Sequence, residues 1–481
     1  MITDDPNRRP FGVRFFAGAF VAPLIYFAEY KPVTVSRDAG FSHAPDALSA
    51  LAESILAEAR KQGATSAEVD VSESVGQSVT VRLGEVETIE YNRDKGVALT
   101  VYSGLRKGHA STSDFSPAAL AQTVSAALAI ARNTAEDSAS GLADPARLAT
   151  AFPDLDLYHP WDLPVEAAIE LARTAESAAM AVDARIRNSE GGSVSAHIGQ
   201  SVYANSHGFV GVNRSSRQSI AATVIAQQDE AMQRDYWYSM ARAAADLEDA
   251  ASIGRRAGER TVARLNARRV KTGDYPILFD ASLATGLISH FVSAASGGSL
   301  YRKASFLLDA LGKPVFSPLV QIVEDPFVPR GFGSSSFDAE GVACVRRDIV
   351  TDGVLNGWFL GSYSARKLGL QSTGNAGGNH NLIVTPTAGD LTDMLQRLGT
   401  GLYVTELLGQ GVNGITGDYS RGAAGFWVEN GQIAWPVEEI TIAGNLKEMY
   451  QSIVAIGSDV ETRGSKRVGS ILIERMTVAG E

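Results

Sequence analysis

Cysteine is almost absent: Cys344 is the only one in 481 residues. An intramolecular disulfide and a cysteine-rich zinc cage are therefore excluded, and a lone thiol suits a reducing compartment, so a cytoplasmic location is expected. Histidine is sparse too. His43, His109, His159, His197, His207, His290 and His380 form no HxH, HxxH or HxxxH spacing, and no HExxH occurs. No local pattern thus supplies the two or more ligands and the base that a zinc hydrolase needs. There is no GxSxG for a serine nucleophile and no Gly-rich strand-to-helix loop for a dinucleotide or P-loop site. Low-complexity tracts are missing, so long disorder is not expected. No apolar run is long enough for a membrane helix. Residues 15–27, after Arg8, Arg9 and Arg14, are faintly like a signal peptide, but Glu29, Tyr30 and Lys31 stand where a small-residue cleavage site would follow. Residues 1–45 are read as a poorly ordered extension. Positive charge is in deficit, with a formal net charge of −11, which argues against a nucleic-acid binder. Arg255, Arg256, Arg260, Arg264, Arg268 and Arg269 do cluster; a solvated helix face with local partners explains them more simply than an anion site.

What is present is ordinary globular material, 45% hydrophobic and 20% charged, in a chain too long for one core. Leu48, Leu51, Ile55, Leu56 and Ala59 recur at helical spacing and predict a helix over 46–62. Val79, Val81 and Leu83 alternate, as do Val97, Leu99 and Val101, and residues 92–96 read as the turn between two strands. Ser116 and Pro117 open a second helix. A polar connector over 133–156, a helix over 164–182, strands around 194–198 and 220–226, and a helix over 247–268 complete a mixed α/β domain, 46–270, with antiparallel sheet and long helices. Residues 271–481 change character. Helices are expected over 282–295 and 388–398, and short strands over 402–407, 424–428, 433–437, 440–443 and 468–473. Asn430-Gly431 is the strongest hairpin signal in the chain. The prediction is an α+β protein whose second domain is a mostly antiparallel, barrel-like sheet.

Several segments could carry chemistry. Ser334, Ser335 and Ser336 read as a flexible loop rather than a nucleophile site, and Cys344, among Val342, Ala343 and Val345, as a buried inert thiol. Residues 372–381 place polar side chains, Asn379 and His380 among them, around Gly374, Gly377 and Gly378. They could line a peptide groove or simply form a tight turn. In Thr416-Gly417-Asp418-Tyr419-Ser420-Arg421-Gly422, Asp418 and Arg421 could pair with each other or face a groove.

That last segment, continued through Glu429-Asn430-Gly431, resembles the signature of the TldD/PmbA family, PmbA (TldE) branch. So do Ser362-Tyr363-Ser364-Ala365-Arg366-Lys367-Leu368-Gly369-Leu370, Ser299-Leu300-Tyr301-Arg302-Lys303 and Glu439-Ile440-Thr441-Ile442-Ala443-Gly444-Asn445-Leu446. The resemblance spans residue 46 to the C-terminus. It implies a subunit with an α/β and a mostly β domain. It also implies a heterodimer with a homologous TldD-like chain, acting as a zinc metalloprotease on unfolded or extended peptides, in toxin maturation and in degradation of small unstable proteins. The TldD chain carries zinc on an HExxxH motif with a cysteine near its C-terminus. Registered on the pair Arg302-Lys303, those motif positions fall on Ser289, His290 and Ala294, and residues 455–481 hold no cysteine.

The resemblance thus implies no catalytic and no metal-binding residue in this chain, zinc being expected in the partner. Tyr301, Arg302, Asn379, His380, Asp418 and Arg421 are the candidates for contact with peptide or partner, and neither nucleic acid nor membrane is an expected partner. Two other functions stay open: an autonomous peptidase using His290, His380 or Asp418, and a non-enzymatic peptide-binding homo-oligomer.

Overall fold

In the computed structural model residues 40–481 are described, so the signal-like run and most of the expected extension lie outside the described residues. The chain enters at Gly40, and His43 is already fixed, its Nδ1 2.6 Å from the buried Glu73 carboxylate.

The first half is one six-stranded sheet with helices on one face. In chain order it runs α1 (Pro45–Lys61), β1 (Ser66–Arg82), β2 (Glu85–Ser103), β3 (Arg106–Thr112), α2 (Pro117–Asn133), α3 (Val165–Met180), β4 (Ile186–Asn205), β5 (Val210–Gln228), β6 (Ala231–Ala241) and α4 (Ala250–Ala263). The strands lie in the order β3-β2-β1-β4-β5-β6, all antiparallel. Alternation does the sorting. Val69, Val71, Val79 and Val81 are buried on one face, the first pair under α1 and α2, the second under α3 and α4. Glu68 and Asp70 point to the other face, which is polar.

Several predicted boundaries move. The turn expected at 92–96 is instead mid-strand: Asn92 pairs with Gly76, and the hairpin turns at Leu83 and Gly84, whose φ angles are 51° and 81°. Glu176 on α3 holds that turn, accepting from Leu83 N at 2.7 Å and Gly84 N at 2.9 Å. The helix expected over 247–268 contracts to α4, because Asp249 caps it by accepting from the Ala251 and Ser252 amides. By contrast α2 begins where predicted, with Ser116 accepting from Ala119 N.

The second half contains β7 (Gly273–Phe279), α5 (Ala281–Ala294), α6 (Gly297–Tyr301), β8 (Ile322–Asp325), β9 (Arg347–Thr351), β10 (Val354–Leu355), α7 (Ser362–Leu368), β11 (Asn381–Val384), α8 (Leu391–Leu398), β12 (Gly401–Leu408), β13 (Asp418–Glu429), β14 (Gln432–Asn445), α9 (Leu446–Gln451), β15 (Ile453–Ile456), β16 (Lys466–Arg467) and β17 (Ile471–Ala479). The sheet β14-β13-β12-β7-β17 closes on itself through a β14–β17 pairing, with β15 appended. This is the rolled sheet the Gly-rich pattern predicts. Asn430 and Gly431, at φ 52° and 74°, make the β13–β14 turn. The two strands expected at 433–437 and 440–443 are one, β14, bulged at Glu439 with φ 54°. A smaller sheet, β10-β9-β8-β11-β16, stands beside the barrel. Among the described residues no helix is long and apolar enough to cross a membrane.

Candidate functional site

The polar face of the first sheet meets the loops of the second half across a cleft of about 770 Å³. Glu68, Asp70, Thr100, Lys107, His109 and Tyr203 form its floor, while Asp338, Glu340 and the Gly-rich loop through His380 form its roof. Burial pushes the Glu68 and Asp70 carboxyls up, Glu68 being partly relieved by hydrogen bonds from the Tyr203 and Tyr102 hydroxyls at 2.9 and 3.0 Å. Residues Glu340, Ala376, Gly377 and Gly378 also line a second, adjoining cleft of about 380 Å³ that includes Tyr301 and Tyr363.

The Gly-rich loop is not loose. Glu324 on β8, 1% exposed, accepts from His380 N and Asn375 Nδ2, both at 2.8 Å, and pairs with Arg347. From the other side Asp338 accepts from Ala376 N at 2.9 Å, and from Glu340 N and Val342 N. Sequence reasoning missed both carboxylates. Backbone donors exposed by three glycines in a row of ten residues need acceptors, and that need was the signal available.

Of the residues singled out from the sequence, Asn379 and His380 line the first cleft and Tyr301 the adjoining one. Arg302 is exposed beside it, donating to the Tyr301 hydroxyl at 3.2 Å. Asp418 and Arg421 lie elsewhere and do not pair. Asp418 accepts from Thr416 Oγ1 at 2.6 Å and Asn445 Nδ2 at 3.0 Å, and lines an open depression of about 660 Å³. Arg421 turns to the opposite side of β13, toward His290. Five of the six arginines of 255–269 find local partners, as the simpler reading predicts. Arg256 lies over Trp237, Arg260 and Arg264 pair with Asp235, Arg268 lies over Trp435, and Arg269 pairs with Glu439.

Cys344 is 4% exposed, with Sγ 3.1 Å from His380 Nε2. A Cys–His pair can make a nucleophile only if the thiolate is accessible and stabilised. Here burial, and then the negative charges of Asp338 and Glu324, push the thiol well above its ordinary range. Iodoacetamide at pH 8 is therefore expected to leave Cys344 unmodified in the native protein and to alkylate it fully in denaturant. Rapid native modification would show an activated thiol.

The three metal-motif positions lie on α5 but do not converge. Ser289 faces a cleft of about 310 Å³ with Ser282, Thr285 and Lys466, and its hydroxyl donates to Thr285 O at 2.8 Å. His290 and Ala294 face another cleft, of about 210 Å³. Ala294 has no donor atom. His290 is held below its ordinary pKa by burial and then by the Arg421 cation, which would also repel a metal ion. Among the described residues no three His, Cys, Asp or Glu side chains group as metal ligands. This donor set does not fit a zinc ion.

Sequence profiles of the PmbA/TldA metallopeptidase family match the chain three times. Domain 1 covers residues 67–131, the central domain 158–265 and the C-terminal domain 272–480. The chain is 50% identical to metalloprotease PmbA of Escherichia coli O157:H7 over 426 residues, covering 89% of this chain and 94% of that one. It is 48% identical to the PmbA homologue of Haemophilus influenzae, over 88% of this chain and 94% of that one. A crystal structure from Bacteroides thetaiotaomicron, of a protein named for a suspected modulation of DNA gyrase, superposes with a TM-score of 0.86 at 30% identity. The match covers 90% of this chain and 98% of that one.

Proposed function

The chain belongs to the PmbA/TldD metallopeptidase family, on its PmbA branch, and we propose that it is the subunit without a zinc centre in a two-chain cytoplasmic peptidase. A family-level peptidase role comes with the membership. The observation that carries the finer reading is the donor set on α5: an alanine, a serine turned into a different cleft, and one histidine beside a guanidinium. In this reading a TldD-like chain supplies the zinc-activated water and this chain supplies binding surface.

The substrates proposed are unfolded or extended peptides. The two adjoining clefts beside the Gly-rich loop support this, because they are open and walled by glycines that let a second backbone approach. Such a surface suits recognition of main chain rather than of one side chain.

The partnership is tested by mixing this chain with a TldD-like homologue and following both complex formation by size exclusion and cleavage of an unstructured peptide. A 1:1 complex that cleaves faster than the TldD-like chain alone is expected. Equal cleavage by the TldD-like chain without this one would remove the need for a partner and sink the proposal.

A further inference from the structure

Lys466 on β16 is half-buried, and its amine makes no hydrogen bond or ion pair among the described residues. Burial alone holds that amine below the ordinary lysine range, with no carboxylate near enough to oppose it. Lys466 lines the cleft of about 310 Å³ that Ser289 faces, where α5 meets Tyr238 of β6 and the loop before β16. The one acid in that cleft, Glu461, is already spent: it accepts from Arg463 Nε at 2.8 Å and from Arg463 N at 2.7 Å. Arg463 donates in turn to Tyr238 O at 2.7 Å. The Glu461 and Arg463 charges cancel, which leaves one positive charge on the cleft wall.

An ammonium drawn out of water without a counter-charge is costly, so its presence calls for an explanation. Its neighbours in the cleft can donate. Tyr238 lines the same space, and its hydroxyl has no hydrogen-bond partner among the described residues. Burial pushes that phenol up, so it stays a neutral donor. Ser282, Thr285 and Ser289, spaced by three and four along α5, form the opposite wall. Thr285 and Ser289 donate to the Ser282 and Thr285 carbonyls at 2.6 and 2.8 Å. Both carbonyls also serve amides of the next helical turn, so the hydroxyls can swing to a ligand at little cost. One uncompensated charge beside the Glu461 carboxylate suits a monoanion better than a dianion such as phosphate. The cleft is at the small end of ligand-pocket sizes and would admit the end of a chain.

We propose that the cleft between α5, β6 and β16 is a carboxylate pocket, in which Lys466 meets the charge of a peptide carboxylate and Tyr238 and the α5 hydroxyls hydrogen-bond its oxygens. The choice of a peptide as ligand rests on the peptidase reading; the preference for a monoanion rests on Lys466 and does not.

The test uses the full chain alone, so that it is independent of cleavage and of any partner. Binding of four probes is measured by calorimetry, and the protection of Lys466 from an amine-acylating reagent by mass spectrometry. The probes are an N-acetylated Ala-Ala-Ala free acid, its C-terminal amide, the amide of N-acetylated Ala-Asp-Ala, and inorganic phosphate. The free acid is expected to bind about tenfold more tightly than its amide, as a charge-assisted contact would give, and to protect Lys466 where the amide does not. Lys466→Met should abolish the preference and Lys466→Arg should restore part of it. Because Lys466→Met removes an unpaired, half-buried charge, it should melt no lower than the parent chain. Tyr238→Phe should weaken binding of the acid severalfold and leave the amide unchanged. Binding of the Asp peptide amide but not of the free acid would also support the pocket and name an acidic side chain as the source of its carboxylate. Equal binding of acid and amide, a preference that survives Lys466→Met, tighter binding of phosphate than of the acid, or no binding by any probe would overturn it. A failed peptidase partnership with a preserved acid-over-amide preference would leave the pocket standing.

Discussion

Glu324→Ala is expected to destabilise the protein by about 3–5 kcal/mol, the usual loss when one partner of a buried ion pair is removed. The Glu324 carboxylate is 1% exposed and serves Arg347, Asn375 and His380 at once. Without it the Arg347 guanidinium, its side chain 18% exposed, keeps its desolvation cost and loses its counter-charge. The His380 amide loses its acceptor as well. The effect should also be local: hydrogen exchange at 372–380 should rise, because this side chain ties Asn375 and His380 of that loop to β8. Urea unfolding checks the magnitude. A loss under about 1 kcal/mol, the range of an exposed pair, would mean that water reaches the network.

Asp338→Ala should also have a large effect, for a different reason. The carboxylate accepts from three backbone amides, those of Glu340, Val342 and Ala376. Each donor left without a partner costs roughly 1–3 kcal/mol. Burial works against the charge here and, despite those three donors, raises the carboxyl to about 6. A folded-state value above the unfolded one of about 3.9 means that the native state holds its proton longer. This group's contribution to stability is therefore fully present below about pH 4 and is lost as pH rises to about 6. Carboxyl ¹³C NMR should show Asp338 titrating near pH 6, and Asp338→Asn should flatten the stability profile between pH 4 and 6. A midpoint near 4 would show that the three amides outweigh burial.

What the sequence made legible was local. The helix over 46–62, the Ser116 cap and the Asn430-Gly431 turn each depend on neighbours a few residues away, and each is found. The turn at Leu83-Gly84 depends on Glu176, distant in sequence, and on a leucine at positive φ, so residues 92–96 looked the better turn. Helices α6, α7 and α9 run for 5, 7 and 6 residues, too short to show a period. Within the barrel β7 joins β12 in parallel, with Ile277 opposite Leu402, and no local pattern encodes that pairing.

The site divides the same way. The Gly-rich loop and the composition of the metal-motif positions were visible as residue types. That Ser289 and His290 serve different clefts follows from the helix, since one residue turns the direction by about 100°. The separation of Asp418 from Arg421 onto opposite sides of β13 is strand geometry, and treating them as a loop pair hid it. The buried carboxylates Glu324 and Asp338 had no sequence signature, because acidic residues are usually exposed and only the fold removes these from water.

The docking of α7 gives the motif at 362–370 a structural meaning. Tyr363 and Lys367 both donate to Asp137, at 2.7 and 2.8 Å, and Arg366 donates to the Ala139, Gly141 and Leu142 carbonyls. These contacts dock the connector between α2 and α3 onto the second half. The Lys367 and Tyr363 hydrogen bonds, with the Ala139 amide, keep the Asp137 carboxyl down at about 2, so the clamp persists through the acid range in which Asp338 titrates.

The central claim, that this chain holds no zinc centre of its own, is tested most directly by metal analysis of the purified chain, with peptide cleavage followed on the same sample. After dialysis against zinc, less than 0.1 equivalent, on the order of adventitious binding for a site lacking ligands, and no chelator-sensitive cleavage are predicted. One equivalent of zinc together with cleavage that a chelator abolishes would contradict the account.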